Sequence, residues 1–493
     1  MKSIDMLFGE HTGEISGDYL ADMGLEHIKN ILSPELCAGF LRVISAPLKS
    51  RGLIMERQNI LKDFLEHPGL ALNMKKICLE IQQNKCTSTH SGKRERLADF
   101  RNVLERSMRV SGELLKHLKH RALSSETLKG LRSQLDCEAQ IAGIQERIAG
   151  LVSSSVSGHC TLGIEYGSGF KFKGADIYSS AGDEPAGASA ATNIFRLIKN
   201  NILASARQEP DGFYYGAPPG APISMIDVQV EDILAKAPVY VGMIISDLNR
   251  HILNFCASLA KQLDFYIACA EIIKYLESRN IAAAFPEFCG GISAAKLLDF
   301  GLIINGCENI IANDFIDTGG YYFISGENQG GKTTFLKSLG IAQLFAQAGM
   351  KVTAEKYTCP VYNNFFSHFP KDEDEDLNYG KLAEELTRIS QSSRLIADNS
   401  LALFNESFAT TTEIEGFEIA RDILRAFSGT SAKIFLVTHN YPLLKNRQEL
   451  DLANNTQVKS LTVNGRTYKI IEGEPRENLD TIDFFERLQT YTL

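Results

Sequence analysis

Three short stretches carry side chains suited to phosphate chemistry. The first, GENQGGKTT (Gly326–Thr334), fits the spacing G-x-x-x-x-G-K-[ST]. Its glycines let backbone N–H groups close around phosphates, Lys332 can reach terminal phosphate oxygens, and Thr333 offers a hydroxyl to Mg²⁺. The second, LALFNESF (Leu401–Phe408), is an apolar run ending in Asn405 and Glu406. A carboxylate at such a strand end can position an attacking water or help to hold a metal, and here the first of the two polar positions is an amide. The third, KIFLVTH (Lys433–His439), ends in Thr438 and His439. His439 taken alone fits a structural histidine; following Lys332 and Glu406 in this order, it fits a group that senses phosphate or orients water. The candidates are therefore Gly326, Glu327, Asn328, Gln329, Gly330, Gly331, Lys332, Thr333 and Thr334 for nucleotide binding, Glu406 and His439 for catalysis, and Thr333 with Asn405 for the metal.

These residues need strands and helices to aim them. Tyr321–Ser325 reads as a short apolar strand before the loop, and Phe335, Leu336, Leu339 and Ile341 mark a helix after it. Residues 280–493 alternate strand and helix patterns, as in a three-layer α/β domain with a largely parallel sheet, which gathers function at the carboxyl ends of its strands. Residues 34–157 read as helical, with apolar spacing such as Leu61, Phe64, Leu65 and Leu114, Leu115, Leu118. Residues 158–222 form an irregular or strand-containing insertion, with a helix expected at 192–206. A second helical block spans 223–279, broken near Pro238. Residues 1–33 stand apart as an N-terminal segment, and Val463-Asn464-Gly465-Arg466 reads as a type I′ hairpin turn.

Composition sets the class. The chain has 493 residues, 44% hydrophobic and 23% charged, within the globular range. The N-terminus MKSIDMLFGEHTGE lacks a signal-peptide pattern, and no apolar run approaches the ~20 residues that span a bilayer. Ten scattered cysteines without a CxxC pair indicate reduced thiols and a cytoplasmic location. The net charge of −9 argues against a uniformly basic coat, yet residues 85–132 hold twelve Lys/Arg against five acids. That band is either a solvated helix face or a phosphate-tracking surface.

The stretches GENQGGKTTFLKSLGIAQLFAQAGMKVTAEK, NESFATTTEIEG (with Glu415-Gly416) and VTHN together resemble the MutS family. CENIIANDF is similar to the segment ahead of that family's ATPase core. APLKSRGLIMERQNILKDFL (46–65) resembles its core-domain motif, with Pro47, Leu48, Ile54, Arg57 and Gln58 in register. The resemblance is dense over 280–445 and looser elsewhere, and the Asn-Glu-Ser run is similar to that of short bacterial MutS-related ATPases.

The resemblance implies an α/β plus all-α chain: a C-terminal ABC-type P-loop ATPase domain preceded by a helical core and lever domain. It implies ATP and Mg²⁺ as cofactors and a homodimer that sandwiches two ATP molecules. It also implies lever helices that clamp double-stranded DNA in repair-type transactions. A nucleotide-gated scaffold gripping a protein partner, with slow or absent hydrolysis, is the alternative. DLNYGKLAEELTRI is similar to the segment laid over the partner's γ-phosphate, so Gly380, in place of the family's serine, and Lys381 would act in trans. Arg94, Arg96 and Arg101 are the expected DNA contacts. Ile310 stands where an aromatic would face adenine, and Asp372 to Asp376 reads as a solvated loop. Phe8-Gly9-Glu10 mimics the family's Phe-x-Glu wedge, but residues 1–30 provide no rigid domain behind it. With about 45 residues before Pro47 and no nuclease-type C-terminal extension, intrinsic mismatch reading is not expected. Asn405 replaces the family's aspartate, a change of on the order of 1 to 3 kcal/mol that weakens Mg²⁺ retention, leaves binding intact and slows the ATPase.

Overall fold

The structure is a computed structural model. It describes residues 4–83, 106, 108–137, 160–167, 171–179, 223–370, 381–408, 411–450, 452–464 and 467–475. The expected helix at 192–206, the acidic run Asp372 to Asp376, Gly380, Arg94, Arg96 and Arg101 lie outside these residues.

The chain divides into two compact units, one of which takes Ser3–Lys76, Arg121–Leu131 and Ser258–Leu493. Its centre is a seven-stranded sheet. The strands are β1 (Glu14–Ile15), β7 (Tyr321–Ser325), β9 (Asn364–His368), β10 (Ser400–Asn405), β11 (Lys433–Val437), β12 (Val458–Val463) and β13 (Ile470–Glu472), in the order β1-β9-β10-β11-β7-β12-β13. Every neighbouring pair is parallel except β12 with β13. Strand β7 lies between β11 and β12, so the chain turns to opposite sides of it; the crevice at such a switch point is where open α/β sheets receive ligands. A four-stranded sheet of β4 (Glu287–Phe288), β8 (Lys356–Cys359), β5 (Ser293–Leu297) and β6 (Asn313–Ile316) accompanies it.

The central strands are fully buried along β7, β10 and β11, as expected of parallel strands covered on both faces. One covering helix is Lys332–Gln347, with thirteen of its sixteen residues buried; a helix apolar on all sides belongs inside a domain. Gly340 permits its close approach, since a Cβ there would lie 2.5 Å from Met23 Sδ and 2.7 Å from Leu403 Cδ1. Two glutamines, Gln343 and Gln347, fix its far end, and Gln343 donates to the Pro360 carbonyl at 2.8 Å. Gln347 donates to the carbonyls of Leu48 and Tyr362, both at 2.8 Å, and accepts the Tyr362 N–H at 2.7 Å, so its buried amide is satisfied. This joins the 46–65 stretch to the sheet. Arg57, 1% exposed, donates to the carbonyls of Leu7 and Ala348 and lies over the Phe265 ring. Residues 4–33 also belong to this unit: β1 extends the sheet edge beside β9, and Tyr19 is fully buried, packed edge-on against Phe365.

The second unit takes Met1–Lys2, Ile77–His120 and Arg132–Ala257, with residues 108–118 helical and an antiparallel pair, β2 (Cys160–Gly167) and β3 (Lys171–Ser179).

One local expectation is corrected. The helix Ile223–Ser278 runs unbroken for 56 residues through Pro238. An interior proline costs about 3 kcal/mol and one backbone bond, and a helix this long keeps enough other bonds to absorb both. The expected type I′ turn at Val463–Arg466 includes residues 465 and 466, which lie outside the described residues; beside it Val463 pairs with Ile470, and Asn464 N–H donates to the Lys469 carbonyl at 2.8 Å. Among the described residues, no helix is long and apolar enough to cross a membrane.

Candidate functional site

Strand β7 delivers the chain into Gly326–Gly331, which opens into the helix Lys332–Gln347. The loop needs its glycines where the backbone turns left-handed, at φ 127° for Gly326 and 89° for Gly331. Gly330 is demanded by space: a Cβ there would lie 2.9 Å from both the Glu327 carbonyl and Val463 Cγ2. Glu327, Asn328 and Gln329 are exposed and Thr334 is half-buried in the helix's first turn, whose N–H groups have no intrahelical acceptors. Lys332, 4% exposed, donates from Nζ to the carbonyls of Gly326 and Glu327, both at 2.8 Å. Its ammonium therefore lies over the loop mouth.

Two neighbouring strands close the site. Asn405 ends β10, buried, and its Oδ1 accepts the Thr333 hydroxyl at 2.9 Å across 72 residues of sequence. Glu406 follows with φ 49°, and its N–H donates to the Val437 carbonyl at 2.8 Å. That bond ties the turn to β11 and places Glu406 Oε1 3.3 Å from Nε2 of His439, two residues beyond β11. The His439 imidazole, opposed by burial and aided by the Lys332 ammonium, holds the Glu406 carboxyl below the usual carboxylate range. His439 is kept in place from below: Thr438 N–H donates to the Ile324 carbonyl at 3.1 Å, extending β11 along β7. Asn440 then caps the helix Tyr441–Lys445 through Leu443 N–H at 2.9 Å.

The structure thus brings together Gly326 to Thr334, Asn405, Glu406 and His439. Lys381 begins the helix Lys381–Ser392, while its companion Gly380 lies outside the described residues. The donor set fits a hard cation at an anion-binding loop: a threonine hydroxyl and an amide oxygen side by side, both oxygens, next to a helix N-terminus.

The sequence reading missed other residues here. Ile310 is half-buried ahead of β6, and the aromatic beside the loop is instead Tyr468, 51% exposed. Asn313 accepts the Ile470 N–H at 2.7 Å and donates to the Tyr468 carbonyl at 3.4 Å, and Lys469 donates to the Ala312 carbonyl. These bonds set the Tyr468 ring against Gly331, with Cδ1 3.6 Å from the position of a Cβ. Only an aromatic on the rim of a strand pair hinted at this. Glu385, His368 and Ser407 were also missed, having no motif.

An open, largely parallel α/β sheet with its polar side chains gathered at the carboxyl ends of β7, β10 and β11 defines the class of domain. Residues 322–478 match the family model of MutS domain V. It is similar to Endonuclease MutS2 of Bacillus velezensis, 32% identical over 176 residues, covering 34% of this chain and 22% of that protein. It is likewise similar to Endonuclease MutS2 of Latilactobacillus sakei subsp. sakei, 30% identical over 235 residues (46% and 29%). A third relative is Endonuclease MutS2 of Streptococcus pyogenes serotype M5, 33% identical over 206 residues (41% and 26%). The chain spans about a quarter of the length of these relatives.

Proposed function

We propose that the protein binds and slowly hydrolyses ATP as a cytoplasmic homodimer, and that nucleotide occupancy gates a clamp on double-stranded DNA in repair-type transactions. In this reading residues 280–493 form an ABC-type P-loop ATPase domain served by helical levers. The observation that carries it is the convergence of Lys332, the Thr333–Asn405 pair and the Glu406–His439 pair on adjacent parallel strand ends. The family match and the MutS2 relatives support it.

The residues divide the work. Lys332 can exchange the carbonyls of Gly326 and Glu327 for terminal phosphate oxygens without leaving the loop mouth. Thr333 and Asn405 would hold Mg²⁺, which when bound neutralises phosphate charge. Glu406, kept ionised beside His439, can accept a hydrogen bond from the attacking water and align it. Tyr468 offers a stacking face for the base. Gly380 and Lys381 would complete the partner's site in trans, and Arg94, Arg96 and Arg101 would contact DNA phosphates.

The test is MgATP binding by calorimetry with steady-state turnover, with and without duplex DNA. Lys332→Ala should abolish nucleotide binding while leaving the melting profile intact; unaltered binding in that variant refutes the assignment. For DNA, log K should fall with log[salt] at roughly −0.9 per phosphate contact, and charge reversal at Arg94, Arg96 and Arg101 should flatten that slope. Absence of salt-dependent DNA binding would overturn the clamp.

A further inference from the structure

On the β9 side of β10 lies a second polar cluster. His368 ends β9, 2% exposed, with Nδ1 2.7 Å from the Ser407 hydroxyl. Glu385 Oε1 lies 3.9 Å from the same ring nitrogen and accepts the N–H of Phe408 at 2.8 Å. One turn further along the helix Lys381–Ser392, Arg388 donates to the Phe369 carbonyl at 2.8 Å. The helix is therefore tied to the end of β9 by Arg388 and to the turn after β10 by Glu385.

That turn has an unusual backbone. Glu406 and Phe408 both lie in the left-handed region, at φ 49° and 67°, with Ser407 between them. Non-glycine residues hold such conformations only where surrounding contacts over-determine them, and strained turns of this kind gather at functional sites. The contacts here can be named. Glu406 N–H is held by Val437, Ser407 by His368, and Phe408 N–H by Glu385, while the Phe408 ring packs into a core that includes Phe366, Phe404 and Ile389. Ile389 belongs to the same helix as Glu385, so ring and backbone of Phe408 both report to that helix.

We propose that Glu385 is a positioning residue that couples nucleotide occupancy to the helix Lys381–Ser392. Its carboxylate fixes the Phe408 N–H, which holds the turn that presents Glu406 to His439. A shift of Glu406 toward a γ-phosphate or its water pulls on Phe408 and is passed through Glu385 to the helix whose first residue is Lys381. This rests on the nucleotide reading of Lys332, Thr333 and Asn405. Glu385 touches neither substrate nor metal in this scheme; it acts through the Phe408 backbone.

The test uses the full chain as wild type, Glu385→Ala and Glu385→Gln, and measures MgATP affinity, kcat and amide hydrogen exchange. Glu385→Ala is expected to bind MgATP within about twofold of wild type, to lose at least tenfold in kcat, and to exchange the Phe408 amide at least tenfold faster. In wild type, MgATP should slow exchange across residues 382–391; in Glu385→Ala that response should vanish. Glu385→Gln keeps an acceptor oxygen and should restore both the slow Phe408 exchange and the response. Unchanged Phe408 exchange in Glu385→Ala, or affinity and kcat falling together, overturns the proposal. A wild-type chain that takes up no MgATP overturns the nucleotide reading and the coupling with it, whereas normal uptake with an unresponsive helix overturns the coupling alone.

Discussion

Asn405→Asp is the substitution whose outcome the site geometry constrains most tightly. Asn405 is 6% exposed and its Oδ1 already receives the Thr333 hydroxyl at 2.9 Å, so a carboxylate of nearly the same shape would sit in the same place. The change turns a neutral acceptor into a charged one. Charge-assisted hydrogen bonds exceed neutral ones by on the order of 1 to 3 kcal/mol, which corresponds to roughly one to two decades in an equilibrium constant. The free Mg²⁺ concentration at half-maximal ATP turnover should therefore fall by about ten- to hundredfold. A second consequence follows from the neighbour. The new carboxylate would be buried one residue from the partly exposed Glu406, whose own carboxyl is already held ionised by His439, and neighbouring like charges repel. Without divalent cation the variant should melt below wild type, and Mg²⁺ with nucleotide should recover more than the loss, because ligands stabilise in proportion to their affinity for the folded state. The assay is turnover at fixed ATP against free Mg²⁺, paired with thermal melts with and without Mg²⁺. Thr333→Val, which removes the hydroxyl, should move the Mg²⁺ midpoint upward. An unchanged midpoint in Asn405→Asp refutes the assignment of this side chain to the metal.

Glu406→Gln should keep MgATP binding, lose at least about a hundredfold in kcat and accumulate as dimer in light scattering; retained turnover would remove Glu406 from catalysis. Tyr468→Ala should weaken adenine-nucleotide binding by roughly 1 to 3 kcal/mol, the scale of one base–aromatic stack, with little change in inorganic triphosphate binding, read by calorimetry with both ligands. Asp299 concerns stability: burial pushes its carboxyl up to about 6, one oxygen accepts the Leu302 N–H at 2.7 Å, and the other has no partner among the described residues. A folded-state value raised above the unfolded one gives stability that is complete below the unfolded pKa, about 3.9, and lost as pH rises through the folded one. The loss is about 3 kcal/mol by pH 7 for a shift of this size. Asp299→Asn should therefore flatten the melting temperature across that window, and an equally steep profile in the variant would contradict it.

The sequence by itself determined those parts of the protein that depend on neighbours along the chain. The strand Tyr321–Ser325, the glycine loop and the helix from Lys332 follow from local backbone preference and apolar spacing, and all three are where the pattern places them. The same holds for the apolar runs of β10 and β11, whose carboxyl ends bear Asn405, Glu406 and, beyond β11, His439. What it could not determine are contacts between segments that meet only through the sheet. The bond between Thr333 and Asn405 depends on the β-order that sets β10 and β11 beside β7. Tyr468 reaches the loop because Asn313 bonds Ile470 from 157 residues away. Glu385 reaches Phe408 across 23 residues with no motif to announce it. The incorporation of β1 at the sheet edge is equally silent in a two-residue strand. Pro238 shows the converse: a local signal, correctly read as a penalty, that the rest of a long helix outweighs. Local rules name the pieces because dihedral preferences act over a few residues. Only packing decides which pieces touch, because burial of apolar area is indifferent to distance along the chain.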